Sequence, residues 1–175
     1  MAEPQAFISD LSDLGVIAAT GEDAVNFLHN QLTNDVTGLE EHSACLAGYC
    51  SPKGRLLATM LIWRSTEGVF LLLPRSLLPV IQKRLQMFVL RAKVRLEDRS
   101  EQLAVAGAAM SAADGALPDV PYQRRPLDGG TLIRVPDAAG LQRGLWVGAA
   151  TEVESFKRTL LSKLAVELPT LPASM

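Results

Sequence analysis

Three apolar runs crowd residues 44 to 74: "ACLAGYC", "RLLATMLIWR" and "GVFLLLP". Each has the length of a strand, and only Pro52-Lys53-Gly54 and the turn-like Ser65-Thr66-Glu67-Gly68 separate them. A parallel pair needs a crossover of about a dozen residues, so connections this short force neighbouring strands to run antiparallel. An antiparallel meander is therefore the element around which the rest of the chain must pack.

The flanking segments supply helices and further strands. "DLGVIAATG", Asp13 to Gly21, predicts a strand centred on the β-branched Val16 and Ile17. A helix follows, with Thr20 and Asp23 as an approximate capping box and Val25, Leu28 and Leu32 at i, i+3 and i+7. Thr33-Asn34-Asp35 prefers caps and turns and should stop that helix near Leu32. After the meander, "SLLPVIQKRLQMFVLRAKV" changes period, placing Leu77, Ile81, Leu85 and Phe88 on one helical face with Ser76 as cap and Pro79 in the first turn. "AKVRLED" returns to alternation, with Val94 and Leu96 on one side and Lys93, Arg95 and Glu97 on the other.

From Glu101 a second unit reads strand ("LAVAGAAM"), a loop rich in Pro, Gly and Asp ("ADGALPDVPYQRRPLDGG"), then strands "TLIRV" and "GLWVGA". Thr151 and Glu154 predict a capping box before a closing helix on Val153, Phe156, Leu160 and Leu164. "ELPTLPASM" is punctuated by proline and stops that helix. The expected fold is α+β, antiparallel sheets with packed helices, in two small subdomains: residues 1–100, and an incomplete second one over residues 101–175.

Composition narrows the functions open to such a chain. A hydrophobic content of 48% is that of a globular protein with a real core. The net charge of −2 argues against extended nucleic-acid binding, while a local basic contact stays open. No apolar run is long enough to span a bilayer, and the N-terminus lacks the pattern of a secretory signal, so a cytoplasmic protein is expected. Cys45 and Cys50 match no metal-ligand spacing; buried, reduced thiols and no metal site are expected.

No phosphate-binding loop, dinucleotide fingerprint, nucleophile elbow or zinc-protease motif is present. Glu40-Glu41 and Glu97-Asp98 lie in polar segments and read as solvated pairs rather than general acids or bases. Three features remain. Lys53-Gly54-Arg55 sets two cations about a glycine that can adopt positive φ. "QLTND", Gln31 to Asp35, gathers amides, a hydroxyl and a carboxylate at a helix end. Arg91-Ala92-Lys93-Val94-Arg95 lays cations along one strand. A hairpin tip, a helix stop and a solvated strand face account for each taken singly.

Together, Gly21-Glu22-Asp23-Ala24, Phe27-Leu28, Gln31-Leu32-Thr33-Asn34-Asp35-Val36, Cys50-Ser51-Pro52-Lys53-Gly54-Arg55 and Lys93-Val94 resemble the N-terminal half of the YgfZ/GcvT-like folate-binding family, and the YgfZ branch above all. The resemblance covers residues 7 to 100 closely and 101 to 165 by the order of elements. It implies subdomains of the aminomethyltransferase folate-binding type. It also implies a pocket for tetrahydrofolate or a derivative, with Lys53, Gly54, Arg55, Gln31 and Asn34 as contacts. Leu14 stands where some members carry a pterin-contacting Trp. An anionic glutamate tail would suit Lys53 and Arg55.

In the aminomethyltransferase branch an Asp-Asp pair follows the turn glycines, and here Ala58 and Thr59 take those places. Neither side chain is a competent acid or base near neutral pH, so the resemblance implies no catalytic residue and binding rather than turnover. The branch implies support of iron–sulfur cluster assembly or repair and of iron–sulfur-dependent tRNA modification, with iron–sulfur cluster proteins as partners. Its Lys-Gly-Cys-Tyr-x-Gly-Gln-Glu motif is absent; it would follow the last residue, and a truncated chain, a fragment or a short paralogue is expected. A folate-dependent aminomethyltransferase and an interaction domain without a folate site are the alternatives.

Overall fold

The computed structural model describes residues 6–111 and 115–166. Within them lie β1 (Ala6–Asp10), β2 (Leu14–Thr20), α1 (Ala24–Gln31), β3 (Ala44–Cys50), β4 (Leu56–Ser65), β5 (Gly68–Pro74), α2 (Leu78–Val89) and β6 (Arg95–Asp98). The second part contains β7 (Leu103–Met110), β8 (Arg124–Leu127), β9 (Gly130–Ala138), β10 (Leu141–Ala149) and α3 (Val153–Val166). The strands form two five-stranded sheets, ordered β3-β4-β5-β2-β6 and β1-β7-β10-β9-β8. Every pairing is antiparallel, and the expected meander is β3-β4-β5.

Alternation along the strands builds four layers. Ile17 and Ala19 of β2, Met60 and Ile62 of β4 and Val69, Leu71 and Leu73 of β5 face α1 and α2. Their neighbours Val16, Ala18, Leu61, Trp63, Phe70 and Leu72 face the other way, onto Val105, Ile133 and Val147 of the second sheet. Ala106, Ala108, Leu132 and Trp146 then meet Phe156 and Leu160 of α3, with the Trp146 and Phe156 rings stacked at 5.0 Å. Because helices or a second sheet cover both faces, the central strands read as unbroken apolar runs rather than as half-polar alternation. β1, built from residues before 11, pairs with β7 and so joins the sheet otherwise made from residues after 100.

Several local expectations are corrected. The buried stripe of α2 is Leu78, Ile81, Leu85 and Val89, whereas Leu77 and Phe88 are exposed. The helix is apolar on two sides, so periodicity alone does not choose between registers one residue apart. None of the expected caps forms. Asp23 and Leu77 occupy the N-cap positions of α1 and α2 without side-chain cap bonds. Asp23 instead accepts a hydrogen bond from the Lys93 amide at 2.7 Å, tying α1 to the approach to β6. Thr151 lies inside a 3₁₀ turn, Ala150–Glu152, that runs into α3. The Pro- and Gly-rich loop contains a short strand, β8, and β1 has no counterpart in the expected elements. Cys45 and Cys50 are free thiols and half-buried rather than buried. "ELPTLPASM" lies outside the described residues.

Candidate functional site

Residues 51 to 55 close the β3–β4 hairpin. The Ser51 amide donates to the Arg55 carbonyl at 2.8 Å, the Gly54 amide to the Ser51 carbonyl at 2.9 Å, and the Arg55 amide to Ser51 Oγ at 3.2 Å. Gly54 has φ +75, and no atom lies within 4 Å of where its Cβ would be, so this turn needs glycine for conformation and leaves open space above it. Lys53 and Arg55 are exposed, and among the described residues neither meets a carboxylate within ion-pair distance. Two cations thus extend from a turn that is pinned by three hydrogen bonds of its own.

The "QLTND" segment lies alongside β3. Leu32 bridges Tyr49, the Thr33 amide donates to the Gly48 carbonyl at 3.0 Å, and Thr33 Oγ1 accepts from the Gly48 amide at 2.8 Å. Asn34 Nδ2 donates to the Leu46 carbonyl at 2.9 Å, and its Oδ1 accepts from the Asp35 amide at 2.8 Å. The Asn34 side chain is thus engaged at both ends, its Nδ2 holding the segment against β3 and its Oδ1 turning the chain at Asp35. The antiparallel register carries half-buried Gln31 toward Cys50, at the base of the cationic turn. Asp35 accepts from the Thr37 hydroxyl at 2.6 Å and the Gly38 amide at 2.9 Å, and His29 Nδ1 stands 3.2 Å away. Those contacts, led by the Thr37 hydroxyl, hold its carboxyl below the ordinary aspartate value. Burial, seconded by the charge of Asp35, pushes the Cys45 thiol up.

The β3-β4-β5-β2 sheet runs on past the region where the second sheet packs, and one row of residues marks this open end. Leu14 pairs with Pro74, extending the β4–β5 register by two residues sets Thr59 beside Pro74, and Thr59 pairs with Gly48. All four continue the face of Val16, Leu72, Leu61 and Ala44, which elsewhere meets the second sheet. Thr59 and Pro74 are exposed, Leu14 is half-buried at the margin of the inter-sheet cluster, and Leu46 and Leu56 are exposed nearby. A Cβ on Gly48 would sit 2.8 Å from Leu56 Cδ1 and 3.1 Å from Thr33 Oγ1, so those side chains close over it. Ala58, one residue before Thr59, points to the opposite face and is buried with Tyr49 and Met60 under the helices.

The structure thus places Lys53, Gly54 and Arg55 on the hairpin at the end of this face, Gln31 and Asn34 beside β3, and Leu14 in the row across it. The sequence reading singled out Thr33 only as part of a helix end, missed Gly48 and Leu56, and treated Ala58 and Thr59 as equivalent. One signal for the difference exists: Thr59 is the lone polar residue between Leu56 and Trp63, as befits a strand position that escapes the core. The Arg91–Arg95 run is only partly free. Lys93 pairs with Glu22, and Arg95 with Glu97 at 2.8 Å. Among the described residues no cluster of His, Cys, Asp or Glu suits a metal ion, and no helix is long and apolar enough to cross a membrane.

The two-sheet architecture is shared with aminomethyltransferase T of the glycine cleavage system from Bartonella henselae, at a TM-score of 0.73 and 17% identity over 90% of this chain and 46% of that one. A chain of the heterotetrameric sarcosine oxidase of Corynebacterium sp. U-96 superposes with a TM-score of 0.65 and 14% identity over 96% of this chain and 88% of that one. These likenesses establish an aminomethyltransferase-type fold.

Within that class the chain is a homologue of the tRNA-modifying protein YgfZ over part of its length. The YgfZ of Enterobacter sp. (strain 638) is 31% identical over 127 residues, 71% of this chain and 39% of that protein. The matches cover from 26% to 42% of the YgfZ proteins, so the chain spans less than half the length of these relatives. No family model matches the chain.

Proposed function

We propose that the chain binds tetrahydrofolate or a derivative and serves, by binding rather than turnover, the assembly or repair of iron–sulfur clusters and the tRNA modification that depends on them. The observation that carries this reading is the cationic turn beyond an open sheet face that bears Thr59, not a carboxylate. Lys53 and Arg55 would hold the anionic tail, Leu14, Leu46 and Leu56 would offer apolar contact, and Gln31 would add an amide. Asn34 acts as a positioning residue, since its side-chain amide is engaged by the Leu46 carbonyl of β3 and by the Asp35 amide. Bound tetrahydrofolate would supply a carrier of one-carbon units. Residues 1–100 would form the folate-binding subdomain and 101–175 the second, in a cytoplasmic protein whose partners are iron–sulfur cluster proteins.

Calorimetric titration of the chain with tetrahydrofolate and with a reduced pterin lacking the glutamate tail tests the reading. Binding should require the tail and weaken about tenfold in Lys53→Ala or Arg55→Ala, equivalent to ~1.4 kcal/mol. Binding indifferent to the tail and to both substitutions would overturn it. Aminomethyl transfer by the chain would favour the transferase alternative, which has to recruit its carboxylate from elsewhere than positions 58 and 59. Absence of any folate affinity would favour the interaction domain.

A further inference from the structure

The outer face of α2 combines features that its role in the core does not explain. Leu77, Val80, Met87, Phe88 and Leu90 are 37%, 58%, 58%, 47% and 87% exposed, and they make up half of the large exposed apolar side chains among the described residues. Leu77, Val80, Arg84, Met87 and Phe88 follow helical spacing, so they form a second stripe flanking that of Leu78, Ile81, Leu85 and Val89. A groove of about 450 Å³ runs beside it, lined by Pro79, Gln82, Lys83, Gln86 and Met87.

Charge along this segment is one-sided. From Arg75 to Leu96 there is no Asp or Glu, in a chain that has 19 of them. Arg75, Lys93 and Arg95 pair with Glu101, Glu22 and Glu97, whereas among the described residues Lys83, Arg84 and Arg91 meet no carboxylate within ion-pair distance. Leu90 ends the helix at φ 45 and ψ −107, a conformation suited to glycine, while its side chain projects into solvent. A strained, exposed leucine in that place contributes surface rather than stability.

We propose that this face docks an amphipathic helix of a partner protein whose apolar stripe is flanked by Asp and Glu. Ridge-into-groove packing accounts for the groove, which a lipid surface does not need. Arg84 sits within the apolar stripe, whereas helices that lie on membranes segregate cations to the opposite face. A second copy of this face would bring cations against cations. Nucleic acid would engage Lys83, Arg84 and Arg91 but gain little from Met87, Phe88 and Leu90. The inference rests on α2 alone and is independent of folate binding.

Fluorescence anisotropy of a labelled designed helix, with Leu at the a and d positions and Glu at e and g, provides the test, beside its Lys-for-Glu counterpart. The whole chain should prefer the Glu helix by about tenfold or more, and Met87→Ser with Phe88→Ser should weaken that binding by a similar factor. Lys83→Glu with Arg84→Glu and Arg91→Glu should reverse the preference, with circular dichroism confirming that each variant is folded. Equal binding of both helices, or insensitivity to these substitutions, overturns the proposal. So does an α2-dependent affinity for phosphatidylglycerol vesicles or transfer RNA that exceeds the affinity for the Glu helix.

Discussion

A carboxylate placed at position 58 or 59 should have opposite consequences. Ala58 is 4% exposed, in a cluster with Tyr49, Met60 and Ile62 beneath the helices. Ala58→Asp would enclose a charge with no partner built to receive it, a class of change that costs about 3–5 kcal/mol against a domain stability of about 5–15 kcal/mol. Thr59→Asp leaves its side chain in solvent on the open face and should cost no more than ~0.5 kcal/mol.

Urea unfolding followed by circular dichroism reads both. Burial would raise the folded-state pKa of the carboxyl introduced by Ala58→Asp above its unfolded value. Its deficit relative to the parent chain should then be full above that raised pKa and shrink as pH falls toward ~4, where the unfolded form also becomes neutral. Similar midpoints for the two variants, or a deficit for Ala58→Asp that does not change with pH, would refute the assignment of these residues to opposite faces.

Four further outcomes are expected. Leu90→Gly should raise stability by ~0.5–1 kcal/mol in the same unfolding assay, because strain relief outweighs the added freedom of the unfolded chain, while weakening binding of the acidic helix. Trp146→Leu should cost about 3 kcal/mol by thermal unfolding, since it removes the stack on Phe156 and the Nε1 hydrogen bond to the Leu127 carbonyl. Gly21→Ala should destabilise strongly, by over ~2 kcal/mol in urea, because its Cβ would lie 2.1 Å from the Lys93 carbonyl at a φ of +111. The Asp35 carboxyl should titrate below the ordinary aspartate value by NMR, so the bonds it accepts from Thr37 and Gly38 persist above its unfolded pKa and are lost as pH falls through the folded one.

The central strands were legible because both of their faces are covered, which leaves "VIAA", "LIW" and "VFLLL" as apolar runs that no loop would carry. The same redundancy hid the register of α2. With Leu77 and Leu78 adjacent, and Phe88 and Val89 adjacent, hydrophobicity allows two stripes and only the packed sheet selects one. β1 was invisible because "AFISD" is short and ends in an acid, and its pairing with β7 depends on a partner nearly a hundred residues away. The cap signals misled because Asp23 found a tertiary donor in the Lys93 amide, which local pattern cannot foresee. At the candidate site the turn was readable from Pro-Lys-Gly-Arg. The orientation of Thr59 depends on strand parity and on where the second sheet stops covering the first, which is a property of the assembled layers.

The segment that lies along β3 also bears on whether that strand's edge is open to pairing with another chain. An outer strand offers a row of unpaired amides and carbonyls on which another chain can polymerise. Thr33 and Asn34 occupy part of that row on β3 with their own hydrogen bonds. Two of the other three outer strands, β6 and β8, carry different deterrents. β6 is only four residues long and bears Arg95, Glu97 and Asp98, and β8 is four residues long and includes Pro126, which cannot donate. Substituting Asn34 by an apolar residue should therefore do more than loosen a candidate ligand site: it would uncover a template for amyloid-like growth, read as seeded thioflavin fluorescence under conditions where the parent chain stays monomeric.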